Sequence, residues 1–443
     1  MDKTRRDFIK KVAIGSAGVT LGAHSLQAAS MRNVMGANSR INFGVAGVNG
    51  RGRAHINAIA ECENTSIGYI CEVDSRAAEK AADLAEKLTG KRPQIIEDYR
   101  KLVEKQDLDA VSIATPDHWH TPMTLMGVQA GKHVYIEKPC SHNPHEGELL
   151  TIAQKKYGRV IQMGNQQRSA VSSMQALKDI RNGIIGDPYM AKTWYANKRG
   201  PIGTGQKVAV PDWLNWKLWQ GPAPRKDYQD IWVHYNWHWF WHWGTGEINN
   251  NGTHEIDLAR WMLGVKYPTM VSSAGGRYHY DDDWEFYDTQ IANYQFEGDK
   301  MITWEGRSCN NFGINNGGRG VLIHGTKGTV FLDRNNYKAY DMEGNLIKEK
   351  EEEGESATMD TVGMGSLDGK HMTNFLNAIR EGEEQHSPID EGAVSNLLCH
   401  LGNISQHVGR TLRINPSNGK ILGDGEAMQM WSRTYEPGWE PTV

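Results

Sequence analysis

The chain has 443 residues, 39% hydrophobic and 23% charged, with 48 glycines that follow no G-X-Y period. This excludes a disordered or collagen-like chain, and the length suits about two or three domains. Residues 1–28 carry a net charge of +3 against −4 for the whole chain, so the remainder carries −7, which argues against a nucleic-acid-binding surface.

Thr4-Arg5-Arg6-Asp7-Phe8-Ile9-Lys10-Lys11 precedes an apolar, Gly/Ala-rich run from Val12 to about Leu26, then small residues at Ala28-Ala29-Ser30. A charged n-region, a short h-region and a cleavage zone read as a signal peptide over residues 1–30. The paired arginines resemble a twin-arginine signal, so export to the periplasm is expected. No later run reaches ~18 apolar residues, so no membrane span is expected in the mature protein.

Residues 40–163 alternate strands and helices. Ile41–Ala46 is a short apolar strand, followed by glycines at 47, 50 and 52 and a helix over Ala54–Ala60. Strand Ile67–Cys71 ends at Glu72, and helix Ala77–Leu88 follows. Asp109–Ala114 is a strand, and Thr121-Pro122 predicts a helix start, with Thr as cap and Pro at the first helical position. His133–Glu137, Pro144–Lys156 and Arg159–Met163 continue as strand, helix and strand. The alternation predicts an α/β fold with a doubly wound parallel (Rossmann) sheet.

Gly47-Val48-Asn49-Gly50-Arg51-Gly52 stands where a strand meets a helix, with Asn49 in place of the middle glycine. Turn amides and a helix N-terminus at this point can hold a pyrophosphate. Glu72 follows about 20 residues on, at a strand end, where it can bind an adenosine ribose and repel a 2′-phosphate. NAD is therefore the expected cofactor. Asp74 competes for the ribose, and Arg76 keeps NADP open.

Ala114-Thr115-Pro116-Asp117-His118-Trp119-His120 closes one strand and Ile136-Glu137-Lys138-Pro139 the next. A lysine pushed into a site beside another cation or dipole drops in pKa and can exchange a proton near pH 7. With Asp98-Tyr99-Arg100 and Gly131-Lys132-His133-Val134, these segments resemble the Gfo/Idh/MocA family of sugar and cyclitol oxidoreductases. The resemblance implies that Lys138 serves the reacting carbinol and that Glu137 helps hold the nicotinamide ribose. It also implies that Pro116, His118 and His120 line the cofactor crevice, and a homo-oligomer is expected.

Residues 164–415 are expected to form an α+β substrate domain around a large, mostly antiparallel sheet, followed by a docked tail over 416–443. Gly164-Asn165-Gln166-Gln167-Arg168 enters it facing the crevice. By resemblance Asn165, Gln166 and Arg168 are candidates for substrate contact; an interdomain hinge is the alternative. Met190–Tyr195, Thr269–Ala274, Thr289–Phe296, Met301–Glu305, Val321–His324 and Thr329–Leu332 read as strands, with a hairpin at Gly325–Thr329. Lys348–Glu355 reads as a solvated loop, and His371–Arg380 and Gly392–Val408 as helices. Of 15 tryptophans, nine lie between Trp213 and Trp261. Flat amphipathic rings in that number suit either a carbohydrate-binding surface or a Trp-rich core. His234, His238 and His242 are spaced by four, but no acid is interleaved, and no metal is expected. Cys62, Cys71, Cys140, Cys309 and Cys399 show no C-x-x-C spacing.

Gly244 to Trp261 contains Asn250-Asn251-Gly252-Thr253-His254-Glu255-Ile256-Asp257. It resembles the family's second signature, which places His254 on the catalytic histidine and has Asp where this chain has Asn250. Positions four apart share a helix face, so Asn250 and His254 are expected to point together and Asn250 to orient the histidine. Asn can orient but cannot supply charge. Trp194 and Asp257 join the candidates for substrate contact. The resemblance implies a nicotinamide-dependent oxidoreductase acting on a small carbohydrate. The alternatives are a glycosidase that uses NAD transiently and a sugar-binding protein without catalysis.

Overall fold

The computed structural model describes residues 40–315, 317–334, 336–352 and 366–443; the twin-arginine segment and residues 353–355 of the charge run lie outside the described residues. Strands β1 (Ile41–Ala46), β2 (Thr65–Cys71), β3 (Gln94–Ile96), β4 (Ala110–Ile113), β5 (His133–Ile136) and β6 (Ile161–Met163) pair in parallel in the order β3-β2-β1-β4-β5-β6. Phe43, Val45, Val111, Ile113 and Ile136 are buried, as both faces of a parallel sheet must be. The order reverses between β1 and β4, so a crevice opens at their carboxyl ends.

Helix Ser75–Thr89 shows how the sequence sets an element. Asp74 caps it, accepting from Arg76 N and Ala77 N, and Gly90 ends it at φ 74. Its buried stripe, Ala77, Ala78, Ala81, Ala82 and Ala85, follows the helical repeat. Asp74 is thereby committed to the cap and to His234 Nε2 at 2.8 Å and, unlike Glu72, does not line the crevice, which removes it as a competitor for the ribose.

The helix expected from Thr121 starts earlier, at Asp117, and runs to Gln129 with Pro122 inside it. Proline has no N–H to give the His118 carbonyl, four residues back. Arg433 Nη2, from the chain's last stretch, donates to that carbonyl at 2.7 Å. The interior proline is tolerated because a distant guanidinium satisfies the group it orphans.

The second sheet has the order β14-β13-β12-β11-β7-β10-β9-β8-β15. Its strands are β7 (Pro188–Ala196), β8 (Met270–Gly276), β9 (Thr289–Phe296), β10 (Lys300–Arg307), β11 (Arg319–Gly325), β12 (Gly328–Leu332), β13 (Asn336–Tyr340), β14 (Leu346–Glu351) and β15 (Leu412–Arg413). Only β7 and β10 run parallel among these described pairs. Within the charge run, residues 348–351 are therefore not a loop: Leu346–Glu351 forms the edge strand β14, paired with β13. An edge needs no buried face, and alternating Lys and Glu protect it from further pairing. No described helix is long and apolar enough to cross a membrane.

The tryptophans form a core. Trp216, Trp219, Trp232 and Trp243 are buried, and their ring centroids lie 4.9–5.7 Å apart where they meet. Helix Ile389–Val408 ties the two sheets together: Ile389 and Ala393 join the first domain's core, and Val394, Leu397 and Leu398 the second's. On this helix Asn396 Oδ1 accepts from Cys140 N at 2.6 Å, and Nδ2 donates to Asn249 Oδ1 at 2.7 Å. One buried amide thus ties the loop after Lys138 to the turn that carries Asn250.

Candidate active site

β1 ends at Ala46, and the chain turns at Gly47 into helix Arg51–Glu61. Gly47 has φ +79, and a Cβ there would stand 2.6 Å from the Ala114 carbonyl at the end of β4. A Cβ on Gly52 would meet Gly47 O at 2.1 Å, whereas one at Gly50 would meet nothing within 4 Å. Two glycines let the turn close, and the third leaves the crevice open to a phosphate. Asn49 is exposed and lines the cleft at this turn. Glu72 Oε2 accepts from Val48 N at 2.8 Å, and Oε1 accepts from Val73 N at 2.8 Å and Asp74 N at 3.1 Å. These residues fit a dinucleotide.

A cleft of about 530 Å³ runs from this turn to Lys138. Gly47, Asn49, Gly50 and Arg51 line it from the turn, Glu72 from the end of β2, Pro116 and His120 from beyond β4, and Glu137 from beyond β5. The His120 ring bridges two of these segments, with Nδ1 2.5 Å from Pro139 O and Nε2 2.7 Å from Thr115 O. Glu137 accepts from Arg51 Nε at 2.7 Å and Gln166 Nε2 at 3.1 Å, and lies 3.0 Å from His55 Nε2. Burial alone would raise its pKa, but Arg51 and His55 outweigh burial and hold the carboxyl well below its ordinary value.

Lys138 Nζ donates to Asn250 Oδ1 at 3.0 Å and to the Asn250 carbonyl. Burial pushes its pKa down, and Glu137 and Asp117 oppose this only in part. Asn250 sits in a π-helical turn, Ile248–Gly252, that opens helix Thr253–Leu263. His254 faces the same cleft, and its Nδ1 has no hydrogen-bond partner among the described residues. Burial, then Arg334 and Lys138, push its pKa well below the ordinary value, so the imidazole is neutral at pH 7. The Asn250 amide does not orient His254 as expected; it meets Lys138 and, at 3.4 Å, Glu247 Oε1. The i, i+4 stacking of an α-helix does not carry through a π turn, whose bonds run from i to i+5.

A family model described as "Oxidoreductase family, NAD-binding Rossmann fold" matches residues 41–165, and one described as "Oxidoreductase family, C-terminal alpha/beta domain" matches residues 173–441. The chain belongs to the Gfo/Idh/MocA oxidoreductase family. Its first domain is an NAD-binding Rossmann domain. A "Glycosyl hydrolase family 109 protein" from Saccharopolyspora erythraea is 29% identical over 185 residues, 39% of this chain and 40% of that protein. An "Alpha-N-acetylgalactosaminidase" from Shewanella oneidensis is 24% identical over 201 residues, 41% of this chain and 44% of that protein. The matches thus span less than half of these relatives' length. A levoglucosan dehydrogenase solved with NADH and levoglucosan shares the fold, with a TM-score of 0.65 at 20% identity over 84% of this chain and 99% of that one.

Several candidates lie outside this family member's cleft. His118 turns into the aromatic core, with Nε2 3.0 Å from Trp219 O and Nδ1 3.2 Å from Trp243 O. Arg168 and Asp257, offered as substrate contacts, are spent on each other: Nε donates to Oδ2 at 2.7 Å and Nη2 to Oδ1 at 2.8 Å, both side chains buried. Asn165 is buried and does not line the cleft; Gln166 does. Trp194 is fully buried, and its indole donates to Gly317 O at 3.0 Å. Its neighbour Tyr195 lines the cleft, because successive residues of a strand face opposite ways. Arg76 lies 3.5 Å over the Trp213 ring and outside the cleft. Of the three spaced histidines, His234 and His238 do line the cleft; His234 bonds to Asp74 and His242 to Pro224 O, and no cluster among the described residues is arranged for a metal.

Asp117 is one lining residue that spacing did not reveal. It accepts from Thr245 Oγ1 at 2.5 Å, and burial pushes its carboxyl up to about 7. Its place beside the helix start in Thr115-Pro116-Asp117 was the available signal. Arg199, Arg319 and Arg334 also line the cleft, brought there from three separate segments of the second domain.

Proposed function

We propose that the protein is an exported enzyme that oxidises a ring hydroxyl, at C3, of a sugar or glycoside and keeps its nicotinamide cofactor through the cycle. The observation that carries this is Lys138, held by Asn250 in the same cleft as the dinucleotide turn, with His254 beside it. Bound NAD supplies a hydride acceptor for the carbinol carbon. Lys138 Nζ takes the hydroxyl proton; burial has already lowered the cost of its neutral form. Asn250 Oδ1 fixes the direction of Nζ, and neutral His254 stands ready to accept a proton from the same centre. Glu72 serves the adenosine ribose, and Glu137, locked by Arg51, the nicotinamide ribose.

Export is motivated by Arg5-Arg6 ahead of an apolar run. Replacing both by Lys is expected to abolish the exported mature form on cell fractionation; its appearance in normal amount would refute a twin-arginine route.

A second reading is favoured by the relatives called glycosyl hydrolases. Oxidation at C3 acidifies the C2 proton. Loss of that proton expels the aglycone as the C1–O bond breaks, water adds at C1, and the C3 carbonyl is reduced again. A compartment without free NAD(H) favours any cycle that closes on itself. The expected result is therefore no net release of NADH during turnover, followed at the reduced-nicotinamide absorbance band. Aglycone release without added NAD⁺ selects glycoside cleavage. Turnover only with a second carbonyl compound selects the oxidoreductase. One NADH released per turnover, with added NAD⁺ required, rejects the closed cycle.

A further inference from the structure

Besides Arg51 of the dinucleotide turn, three guanidinium groups, all from the second domain, line the cleft that holds Lys138 and His254. Arg199 follows β7, Arg319 opens β11, and Arg334 sits in the turn between β12 and β13. Two of them have partners. Arg199 Nε donates to Glu247 Oε2 at 2.8 Å. Arg319 Nε donates to Glu255 Oε1 at 2.7 Å, and its Nη1 donates to Asn251 Oδ1 at 3.3 Å. Arg334 has no hydrogen bond or ion pair among the described residues, and its Nε is buried without a partner. Glu255, the carboxylate whose field reaches Arg334, is bonded to Arg319 instead.

Arg334 is half-buried with its Nε enclosed; a partly desolvated cation without an anion is costly, and a fold keeps one chiefly where something else brings the charge. Burial and the neighbouring Arg319 pull the Arg334 pKa down to about 9, which still leaves it charged at pH 7. Aromatic rings stand close: Arg319 lies 5.1 Å from the Tyr195 ring centroid, and Tyr195 and Trp237 line the same cleft. Together they make an apolar wall, a base and an unpaired guanidinium, which suits a sugar with one acidic substituent. The planar guanidinium fork matches an oxyanion in two-point contact.

We propose that the substrate of this site is an acidic sugar, bearing a carboxylate or a sulfate ester, and that Arg334 binds the oxyanion. The proposal rests on the carbohydrate reading of the same cleft. It makes Arg334 a specificity-determining residue while leaving the proton chemistry to Lys138 and His254. An anion seated there also eases protonation of His254, whose pKa is held down in part by Arg334, Lys138 and Arg319.

The test is calorimetry of the NAD⁺-loaded protein against matched probes. These are the methyl glycosides of glucuronic, galacturonic and mannuronic acid, their neutral hexose counterparts, and the hexose 6-sulfates. At least one acidic probe is expected to bind about 10²-fold tighter than its neutral partner. Arg334→Gln is expected to erase that difference and leave neutral-sugar and NAD⁺ affinities nearly unchanged, with Arg334→Lys recovering part of it. A preference confined to the uronates assigns a carboxylate, and one confined to the sulfates a sulfate ester. Equal affinity within every pair, or no binding of any acidic probe, overturns the proposal. So does loss of NAD⁺ affinity in Arg334→Gln, which would assign the arginine to the cofactor. Absence of turnover would defeat the enzymatic reading and leave these binding differences standing, so the two fail separately.

Discussion

Lys138→Ala is expected to lower turnover by about 10²–10⁴-fold, the range for loss of a positioned acid–base, and His254→Ala to do likewise. NAD⁺ affinity, measured by calorimetry, is expected to change far less, since the dinucleotide turn lies at the other end of the cleft. The pH profile carries the finer test. In the oxidative direction the neutral amine is the active form, so the rate rises with pH as Lys138 loses its proton. Burial places that rise below the ordinary lysine value of about 10.4. Asn250→Asp would put a carboxylate where Asn250 Oδ1 now stands, 3.0 Å from Nζ, and so favour the charged ammonium. The rise is then expected at higher pH. Near-normal turnover in Lys138→Ala would remove this lysine from the proton path, and an unmoved profile in Asn250→Asp would uncouple the pair.

What could be read from the sequence was local. The glycine turn, Glu72 and Glu137-Lys138 each sit at a strand end, and a strand followed by a glycine and a helix is a contiguous pattern. Tyr195 shows where such reading stops. It lies one residue from Trp194, and only the pairing of β7 with β10 and β11 decides which of the two faces the cleft. Arg319 stands opposite Tyr195 in that register, and no spacing along the chain predicts it. Pro122 is a second case. A proline after threonine is an ordinary helix start, and the exception depends on Arg433, more than three hundred residues later.

The polar segment after β6 is the most instructive. Its residue types suit substrate recognition, and Gln166 does reach the cleft through Glu137. Arg168, two residues on, turns the other way to meet Asp257, and the sequence holds no sign of that pairing across 89 positions. Opposite charges far apart in a chain are abundant, and only the fold chooses which of them meet. The same holds for the tryptophans: composition allowed a surface or a core, and packing made most of them a core.

Arg168→Gln is accordingly expected to destabilise the fold by about 3–5 kcal/mol, because it leaves Asp257 as a buried, uncompensated charge. The loss is read as a lowered denaturation midpoint with an unchanged slope. Asp257→Asn is expected to cost a similar amount by stranding Arg168. The paired change Arg168→Met with Asp257→Leu removes both charges and is expected to recover much of the loss, since an apolar pair of similar volume avoids desolvation altogether. Acid acts on the same bond. Burial would raise the Asp257 pKa, but Arg168 outweighs burial and holds it below the ordinary value. A depressed carboxyl pKa contributes stability above the unfolded value of about 3.9 and loses it as pH falls toward the folded one. The pair's contribution is therefore complete at neutral pH and fades only in strong acid. A substrate contact behaves otherwise: KM would rise, the denaturation midpoint would stay, and the paired apolar change would rescue nothing.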